Sequence, residues 1–158
     1  MQLHEIRAAT KSKTKSIKQI IFYFVHTQNQ NDFEKALKLC QSRAQSAFGD
    51  GRVFIEKFIE GAQHIEFQVL ADGEKAIHFG ERFCSIQRRH QKLIEEGPWL
   101  TEEDREKIGK LVCKGAESVG YKGLATFEFL RDKHGEFYFL EVNPRVQVEH
   151  TITEMITG

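Results

Sequence analysis

The stretch GEFYFLEVNPRVQVEH, residues 135–150, begins as an apolar strand pattern and ends in a run of polar groups. Arg145, Gln147 and Glu149 stand at every second position, and Val146 and Val148 lie between them. In an extended chain, alternate side chains point to the same side, so the three polar groups would share one side. The stretch therefore predicts a strand followed by a row of polar side chains that can bind a ligand.

Two glutamates and an asparagine in the last predicted hairpin form a candidate metal site. The hairpin pairs ATFEFL (125–130) with EFYFLEV (136–142), and a turn at 132–135 would place Glu128 opposite Phe139. Glu141 lies two residues further along that face, within diagonal reach, and Asn143 shares the face if the chain stays extended. Two carboxylates and an amide oxygen suit Mg²⁺ or Mn²⁺. The spacing alone is also compatible with an alternative, in which the two glutamates lie on a solvated strand face and bind no common ligand.

A second polar segment, QRRHQK at 87–92, supplies hydrogen-bond donors and positive charge. Arginine suits planar anions, and a glutamate such as Glu149 can act as a general base. An exposed basic loop is the alternative interpretation of this segment by itself. Together, the two segments favour a cation held by carboxylates beside a cluster that binds an anion. Enzymes that transfer phosphoryl groups use sites of this kind.

The rest of the chain predicts an α+β fold, an antiparallel sheet with helices packed on one side. A first helix follows a possible capping box at Asn31 and ends at Gly49. Strand patterns occupy 52–60 and 64–70, and Asp72-Gly73 predicts a hairpin turn. Thr101 is expected to cap a second helix with an apolar stripe of Ile108, Leu111, Val112, Ala116 and Val119. The segment CSIQRRHQKLIEEGPW, 84–99, shows no clear periodicity.

The composition indicates a globular chain without a bulk charge. Among 158 residues, 23 Lys and Arg balance 23 Asp and Glu, so no field attracts nucleic acid, and we predict no nucleic-acid partner. The longest apolar run, IIFYFV at 20–25, is too short to span a bilayer, so we predict no membrane partner. Three scattered cysteines predict reduced thiols and a cytoplasmic location, and a mitochondrial transit segment is the alternative for the basic start.

The motifs together resemble the ATP-grasp domain of biotin carboxylases, the ATP-using components of acetyl-CoA, pyruvate and propionyl-CoA carboxylases. The resemblance rests on QRRHQK, GYKGLATFEFL and the N-x-R-x-Q-V-E-H run in this order. It implies a partial ATP-grasp domain at 31–158 and an atypical basic N-terminal segment at 1–30. Carbamoyl-phosphate synthetases share the fold and the metal carboxylates, so another ATP-grasp ligase of that type is an alternative.

The resemblance also implies roles for individual residues. ATP contacts are implied for Glu56, Lys57, Phe58, Ile59, His64, His90, Glu128 and Glu141. Metal binding is implied for Glu128, Glu141 and Asn143. Bicarbonate contacts are implied for Lys92, Arg145, Gln147 and the backbone of Val148. The implied catalytic residues are Arg145, Lys92 and Glu149, with Glu149 as the base.

The implied reaction is ATP-dependent carboxylation of biotin by bicarbonate through carboxyphosphate. The implied partners are a biotin carboxyl carrier domain or protein and a carboxyltransferase component. One motif of the family is missing, because residues 7–30 contain no glycine where a glycine-rich phosphate loop is expected. The chain is also much shorter than family members. A non-catalytic nucleotide-binding or subunit-docking fragment, able to self-associate through exposed apolar faces, is therefore the alternative for the isolated chain.

Overall fold

The computed structural model describes residues 4–7, 26–27, 30–88 and 91–158. Predictions that concern the apolar run at 20–25 or His90 lie outside the described residues. The chain divides into two compact units, Met1–Glu60 and Gly61–Gly158. The proposed boundary between a segment at 1–30 and a domain at 31–158 stays a prediction.

The described residues of the first unit form one helix and a three-stranded antiparallel sheet. The sheet has the order β2-β1-β3, formed by β1 (His4–Arg7), β2 (His26–Thr27) and β3 (Phe54–Lys57). Helix α1 (Gln30–Phe48) buries Ala36, Cys40 and Ala44, which confirms the helical apolar spacing. Asn31 lies inside this helix, so its prediction as the cap is wrong. Gly49 ends the helix with a φ of 70°, a conformation that glycine adopts without steric cost.

The second unit is built on a five-stranded antiparallel sheet of order β6-β5-β4-β7-β8. Its strands are β4 (Gln63–Asp72), β5 (Ala76–Arg88), β6 (Gln91–Glu96), β7 (Lys122–Arg131) and β8 (Phe137–Asn143). Its helices are α2 (Glu102–Ser118) and α3 (His150–Thr157). The predicted α+β class with an antiparallel sheet and helices is confirmed.

Alternation along β4 gives the sheet an apolar face that packs against α2. Ile65, Phe67 and Val69 are fully buried, and they cluster with residues of α2 and β7 that include Ile108, Val112, Ala116 and Phe129. Thr101 caps α2 as predicted, because its hydroxyl accepts a hydrogen bond from the Asp104 N–H at 3.2 Å. The predicted stripe of α2 is wrong at Leu111 and Val119, which are exposed. The buried side chains of the stripe are those of Ile108, Val112 and Ala116, each four residues after the last.

The opposite face of the sheet is polar and also buried. Glu66 and Gln68 point there from β4, and Arg82 and Thr126 join them from the neighbouring strands. Helix α3, which the sequence did not predict, contacts this face through Thr153, whose hydroxyl accepts a hydrogen bond from Arg82 at 2.7 Å. The two helices of this unit therefore contact opposite faces of the sheet. The prediction that the helices pack on one side is wrong, because the second face is polar and is covered by α3.

The last hairpin has a different register from the predicted one. Arg131 pairs with Phe137 and Phe129 pairs with Phe139, because the turn is longer than four residues. A bulge between Phe129 and Glu128 then places Glu128 directly opposite Glu141. The predicted opposition of Glu128 and Phe139 is therefore wrong, and the two carboxylates are nearer than the predicted diagonal.

The segment 84–99, for which no regular element was predicted, contains the end of β5 and the whole of β6. Within the described part of the chain, no helix has the length and apolar character needed to cross a membrane.

Candidate functional site

The predicted site residues of the second unit line one open cleft of about 560 Å³. They come from the ends of β4, β6, β7 and β8 and from the segment that leads into α3. The predicted residues in the lining are His64, Lys92, Glu128, Glu141, Asn143, Arg145, Gln147, Val148 and Glu149, and Gln87, Gln91 and Leu93 complete it. The sheet and the polar segment after it thus bring the two predicted clusters together.

Glu128 is the centre of the hydrogen bonds in this cleft. Its Oε1 accepts from the Asn143 amide at 2.7 Å and from the Gln147 amide at 3.1 Å, while its Oε2 lies 2.7 Å from His64 Nε2. Burial alone would raise the pKa of this carboxyl, but the His64 hydrogen bond and the charge of Lys92 outweigh it and lower the pKa to about 2. Glu128 is therefore held as a carboxylate.

His64 is oriented by two partners in the chain. The Gln87 side-chain amide nitrogen lies 2.7 Å from His64 Nδ1 and also donates to the Cys84 carbonyl. Because an amide nitrogen only donates, Nδ1 accepts, and the ring hydrogen resides on Nε2, where it can be donated to Glu128. Both ring nitrogens are thus engaged inside the chain.

Lys92 is the cation that joins the predicted metal and anion clusters. Its ammonium forms an ion pair with Glu66 and lies 3.8 Å from Glu128 and 3.6 Å from Glu149. Burial alone would lower the pKa of Lys92, but the carboxylates of Glu66 and Glu128 raise it well above its usual range. The ammonium stays charged and is available to an anion in the cleft.

The segment after β8 presents the other groups predicted for an anion. Arg145 is exposed, and its guanidinium donates to the Val146 carbonyl at 3.1 Å. Val148 is 85% exposed, and its carbonyl accepts a hydrogen bond from the Thr151 hydroxyl at 3.4 Å. Gln147 is buried instead, because its amide bridges Arg82, at 3.4 Å, and Glu128. Gln147 therefore connects Arg82 with Glu128 and does not present its side chain to solvent.

The remaining predicted contacts belong to the first unit or are not described. Glu56 and Lys57 belong to β3 of the first unit, and Phe58 and Ile59 follow it, both half-buried. His90 is outside the described residues. The roles of these residues stay predictions.

Three polar residues next to the site were not singled out from the sequence: Glu66, Arg82 and Glu95. The signal for Glu66 was present, because it stands between the fully buried Ile65 and Phe67 in an alternating strand. Arg82 and Glu95 offered no such signal. Their burial depends on contacts with strands that are distant in the sequence, which alternation within one segment does not report.

The donors in the cleft fit a hard divalent cation. Glu128 and Glu141 supply carboxylate oxygens from paired positions of two strands, and Asn143 adds an amide oxygen. The Asn143 amide nitrogen donates to Glu128, which leaves the amide oxygen for a cation. Oxygen ligands of this kind are those that Mg²⁺ and Mn²⁺ prefer.

Residues 25–158 match the family described as "Carbamoyl-phosphate synthase L chain, ATP binding domain". The chain is 52% identical over 134 residues to a biotin carboxylase of Nostoc sp., a match that covers 83% of this chain and 30% of that protein. It is 49% identical over 134 residues to the 2-oxoglutarate carboxylase small subunit of Hydrogenobacter thermophilus, covering 83% and 28% of the two chains. The chain thus spans less than a third of these relatives.

Two solved structures resemble the whole chain. One is the biotin carboxylase domain dimer of Hydrogenobacter thermophilus 2-oxoglutarate carboxylase, in complex with MgADP, ADP and bicarbonate. It has a TM-score of 0.84 and 42% identity, and the match covers 99% of this chain and 34% of that chain. The other is a Campylobacter jejuni biotin carboxylase complex with β,γ-ATP, which has a TM-score of 0.84 and 43% identity, with coverage of 99% and 34%. The predicted ATP-grasp fold of the biotin carboxylase type is confirmed.

Proposed function

Because the chain belongs to the family of carbamoyl-phosphate synthase L chain ATP-binding domains, we propose that it acts as the ATP-grasp core of a biotin carboxylase. The proposed reaction is the ATP-dependent carboxylation of biotin by bicarbonate. One observation carries the proposal: Lys92 and Glu149, an anion-binding cation and a candidate base, lie 3.6 Å apart in the cleft that also holds Glu128 and Glu141.

ATP would enter the cleft with its phosphates toward β7 and β8. Glu128, Glu141 and Asn143 would hold Mg²⁺ or Mn²⁺, which supplies charge neutralisation for the transferring phosphoryl group. Glu128 suits this role because its low pKa keeps it ionised at neutral pH. The chain's own contribution is a set of oxygen donors that Gln147 and His64 fix in place.

Bicarbonate would bind between Lys92, Arg145 and the backbone of Val148. Lys92 and Arg145 supply positive charge, and Glu149 removes the proton of the bicarbonate hydroxyl. The freed oxygen attacks the γ-phosphorus, and the bond from that phosphorus to the ADP oxygen breaks. Carboxyphosphate and ADP result. Cleavage of the carboxyphosphate C–O bond gives CO₂ and phosphate. The released phosphate takes the N–H proton of a biotin ring nitrogen, and that nitrogen forms the new bond to CO₂.

The partners follow from this chemistry. We propose a carrier domain or protein that presents biotin, and a carboxyltransferase component that uses the carboxylated product. The relative named as a 2-oxoglutarate carboxylase small subunit supports this assignment, because its name places it in a larger carboxylase. We also propose a cytoplasmic location, supported by three free cysteines in the described residues.

The test is phosphate release from ATP by the purified chain, with Mg²⁺ and bicarbonate, in the presence and absence of biotin. Release that requires bicarbonate, is stimulated by biotin and is lost in Arg145→Ala supports the proposal. The matched control is Arg52→Ala, which removes an exposed arginine that pairs with its neighbour Asp50. Stimulation by ammonia in place of biotin would support a carbamoyl-phosphate synthetase type, and ATP binding without turnover would support a nucleotide-binding role.

A further inference from the structure

The polar face behind the cleft contains more acidic groups than cations. Arg82 Nε donates to Glu66 at 2.6 Å and lies 3.9 Å from Glu95. Lys92 forms ion pairs with Glu66, Glu128 and Glu149. Among the described residues here, four carboxyl groups therefore share two cations. Charge balance favours a neutral, protonated state for one of them.

Glu95 is the carboxyl group with the weakest compensation. Its side chain is 8% exposed, and neither oxygen has a hydrogen-bond partner within the described part of the chain. Arg82, its nearest cation, is already bound to Glu66. An ionised carboxylate is costly in such a place, because burial removes its hydration without an equivalent partner.

The charged and titratable groups around Glu95 come from four elements. Glu66 faces it from β4, Arg82 and Cys84 from β5, Lys92 from its own strand β6, and Glu149 from the segment before α3. Burial first, and then the charge of Glu66, raise the pKa of Glu95 to about 7, although Lys92 acts in the opposite direction. Glu149 raises this pKa further through its own negative charge.

A second, smaller cleft of about 260 Å³ connects Glu95 with the candidate base. Its lining includes Glu95, Lys92 and Glu149, together with apolar groups of Leu93, Val148 and Ile152. Both residues thus line a shared space on the side of Lys92, and the carboxyl oxygens of Glu95 are buried behind its surface. This position lies beside the proposed bicarbonate pocket.

We propose that Glu95 and Glu149 form a proton-sharing pair across this second cleft. With its pKa raised to about 7, Glu95 exchanges between neutral and ionised forms at neutral pH. In the reaction, Glu149 would take the proton from the bicarbonate O–H bond and pass it to Glu95 in its ionised form, which becomes a neutral carboxylic acid. Glu149 is thereby returned to its carboxylate form, and no electrons are exchanged. The catalytic use of the pair rests on the proposed function. The pairing of Glu95 with Glu149 does not depend on that function.

A bound cation is the competing explanation for the same cluster. Ligand atoms of Glu66, Cys84 and Glu95 lie within 4.8 Å of one another. Both oxygens of Glu66, however, already bind Arg82 and Lys92, so a cation would have to displace existing ion pairs. A proton on Glu95 requires no such displacement.

The deciding experiment is a carbon-13 NMR titration of the chain with labelled glutamate carboxyl groups, from about pH 5 to about pH 9, with EDTA present. We expect one carboxyl resonance to titrate near neutral pH, far above an ordinary glutamate at about 4.3. This resonance disappears in Glu95→Gln and persists in Glu96→Gln, the adjacent exposed control. In Glu149→Gln its midpoint falls by more than about 0.3 pH unit, because a neighbouring like charge is removed.

The control for the last variant is Glu154→Gln, which removes an exposed carboxylate of α3 and leaves the midpoint in place. Titration of every glutamate below about pH 5.5 would overturn the protonation of Glu95. An unchanged midpoint in Glu149→Gln would overturn the pair. These two contradicting outcomes are measured on the wild type and on Glu149→Gln. The proposal can therefore be overturned even if Glu95→Gln fails to fold.

Kinetics separate the pair from the proposed reaction. An NMR-detected pair in a chain that shows no bicarbonate-dependent phosphate release contradicts the proposed function alone. If release occurs, Glu95→Gln should lose the part of the pH profile near neutrality, and small buffer bases, which can accept the proton in place of Glu95, should partly restore the rate. An unchanged rate and pH profile in Glu95→Gln would overturn the catalytic use of the pair.

Discussion

Arg82 and Glu66 form an ion pair inside the second unit, with 2.6 Å between the Arg82 guanidinium and Glu66 Oε1, and each side chain is at most 1% exposed. Arg82 Nη1 donates to both Gln68 Oε1, at 2.9 Å, and the Thr153 hydroxyl, at 2.7 Å. One arginine therefore connects two strands of the sheet with α3. Its burial is supported by hydrogen bonds to most of its donors.

Replacing Arg82 should be strongly destabilising. We expect Arg82→Met to lower the free energy of unfolding by about 3–5 kcal/mol, because Glu66 is left buried with only Lys92 as a partner. Urea denaturation followed by circular dichroism measures the change. Arg88→Met, at an exposed position of the same strand, is the matched control and should change stability by less than about 0.5 kcal/mol. Equal losses in both variants would contradict the structural role of the pair.

The elements of the fold with strong periodicity were predictable from the sequence. Alternation in β4 and the apolar row of α2 identify the core because each pattern is complete within one segment. The register of the last hairpin was not predictable, since a bulge next to Glu128 adds one residue that no local pattern marks. The buried polar face was missed for a related reason: Arg82 is buried by α3 and by strands that lie far from it in sequence.

The stability of the second unit should depend on pH through Glu81. Burial alone would raise the pKa of Glu81, but hydrogen bonds from Arg105 and from the N–H groups of Leu100 and Trp99 outweigh it and lower the pKa. A lowered folded-state pKa gives stability that is present above the unfolded value of about 4.3. This stability is lost as the pH falls through the folded-state pKa.

We therefore expect the free energy of unfolding to fall as the pH drops below about 4.3, and to fall less steeply in Glu81→Gln. At neutral pH the substitution should cost about 1–3 kcal/mol, because Arg105 and the two N–H groups lose a charged acceptor. The control is Glu102→Gln, since Glu102 also binds Arg105 but is 77% exposed. A pH dependence that is identical in wild type and Glu81→Gln would contradict the assignment.

The two glycines of α2 should respond to alanine in opposite directions. Gly109 is buried against His78, and a methyl group there would overlap the imidazole ring, which packs edge-on against Phe67 at 6.2 Å. Gly109→Ala should therefore destabilise the chain by about 1–3 kcal/mol. At Gly115 the nearest atom is in Phe127 at 3.4 Å, so alanine fits and should gain up to about 1 kcal/mol of helix stability. Thermal unfolding of both variants provides the comparison.

The metal assignment predicts a loss of affinity on removing one anionic ligand. Glu141→Gln should weaken binding of Mg²⁺ with ATP by at least about tenfold, or ~1.4 kcal/mol, because a neutral amide oxygen replaces a carboxylate. Calorimetry with wild type and variant measures the difference. Glu136→Gln, an exposed position in the same hairpin, should bind like wild type. Equal affinities for Glu141→Gln and wild type would remove Glu141 from the metal site.

The base assignment predicts a loss of rate without a comparable loss of nucleotide affinity. Glu149 lies beside Lys92 and is 23% exposed, so a ligand in the cleft can reach it. Glu149→Gln keeps the size and hydrogen-bonding capacity of the side chain but cannot accept a proton at neutral pH. Bicarbonate-dependent cleavage of ATP should fall by about 10²–10⁴-fold, as expected when a general base is removed, while ATP affinity changes little. Phosphate release at saturating bicarbonate is the measurement, and Glu154→Gln on the exposed side of α3 is the control. A loss smaller than about threefold at saturating bicarbonate would show that another group removes the proton.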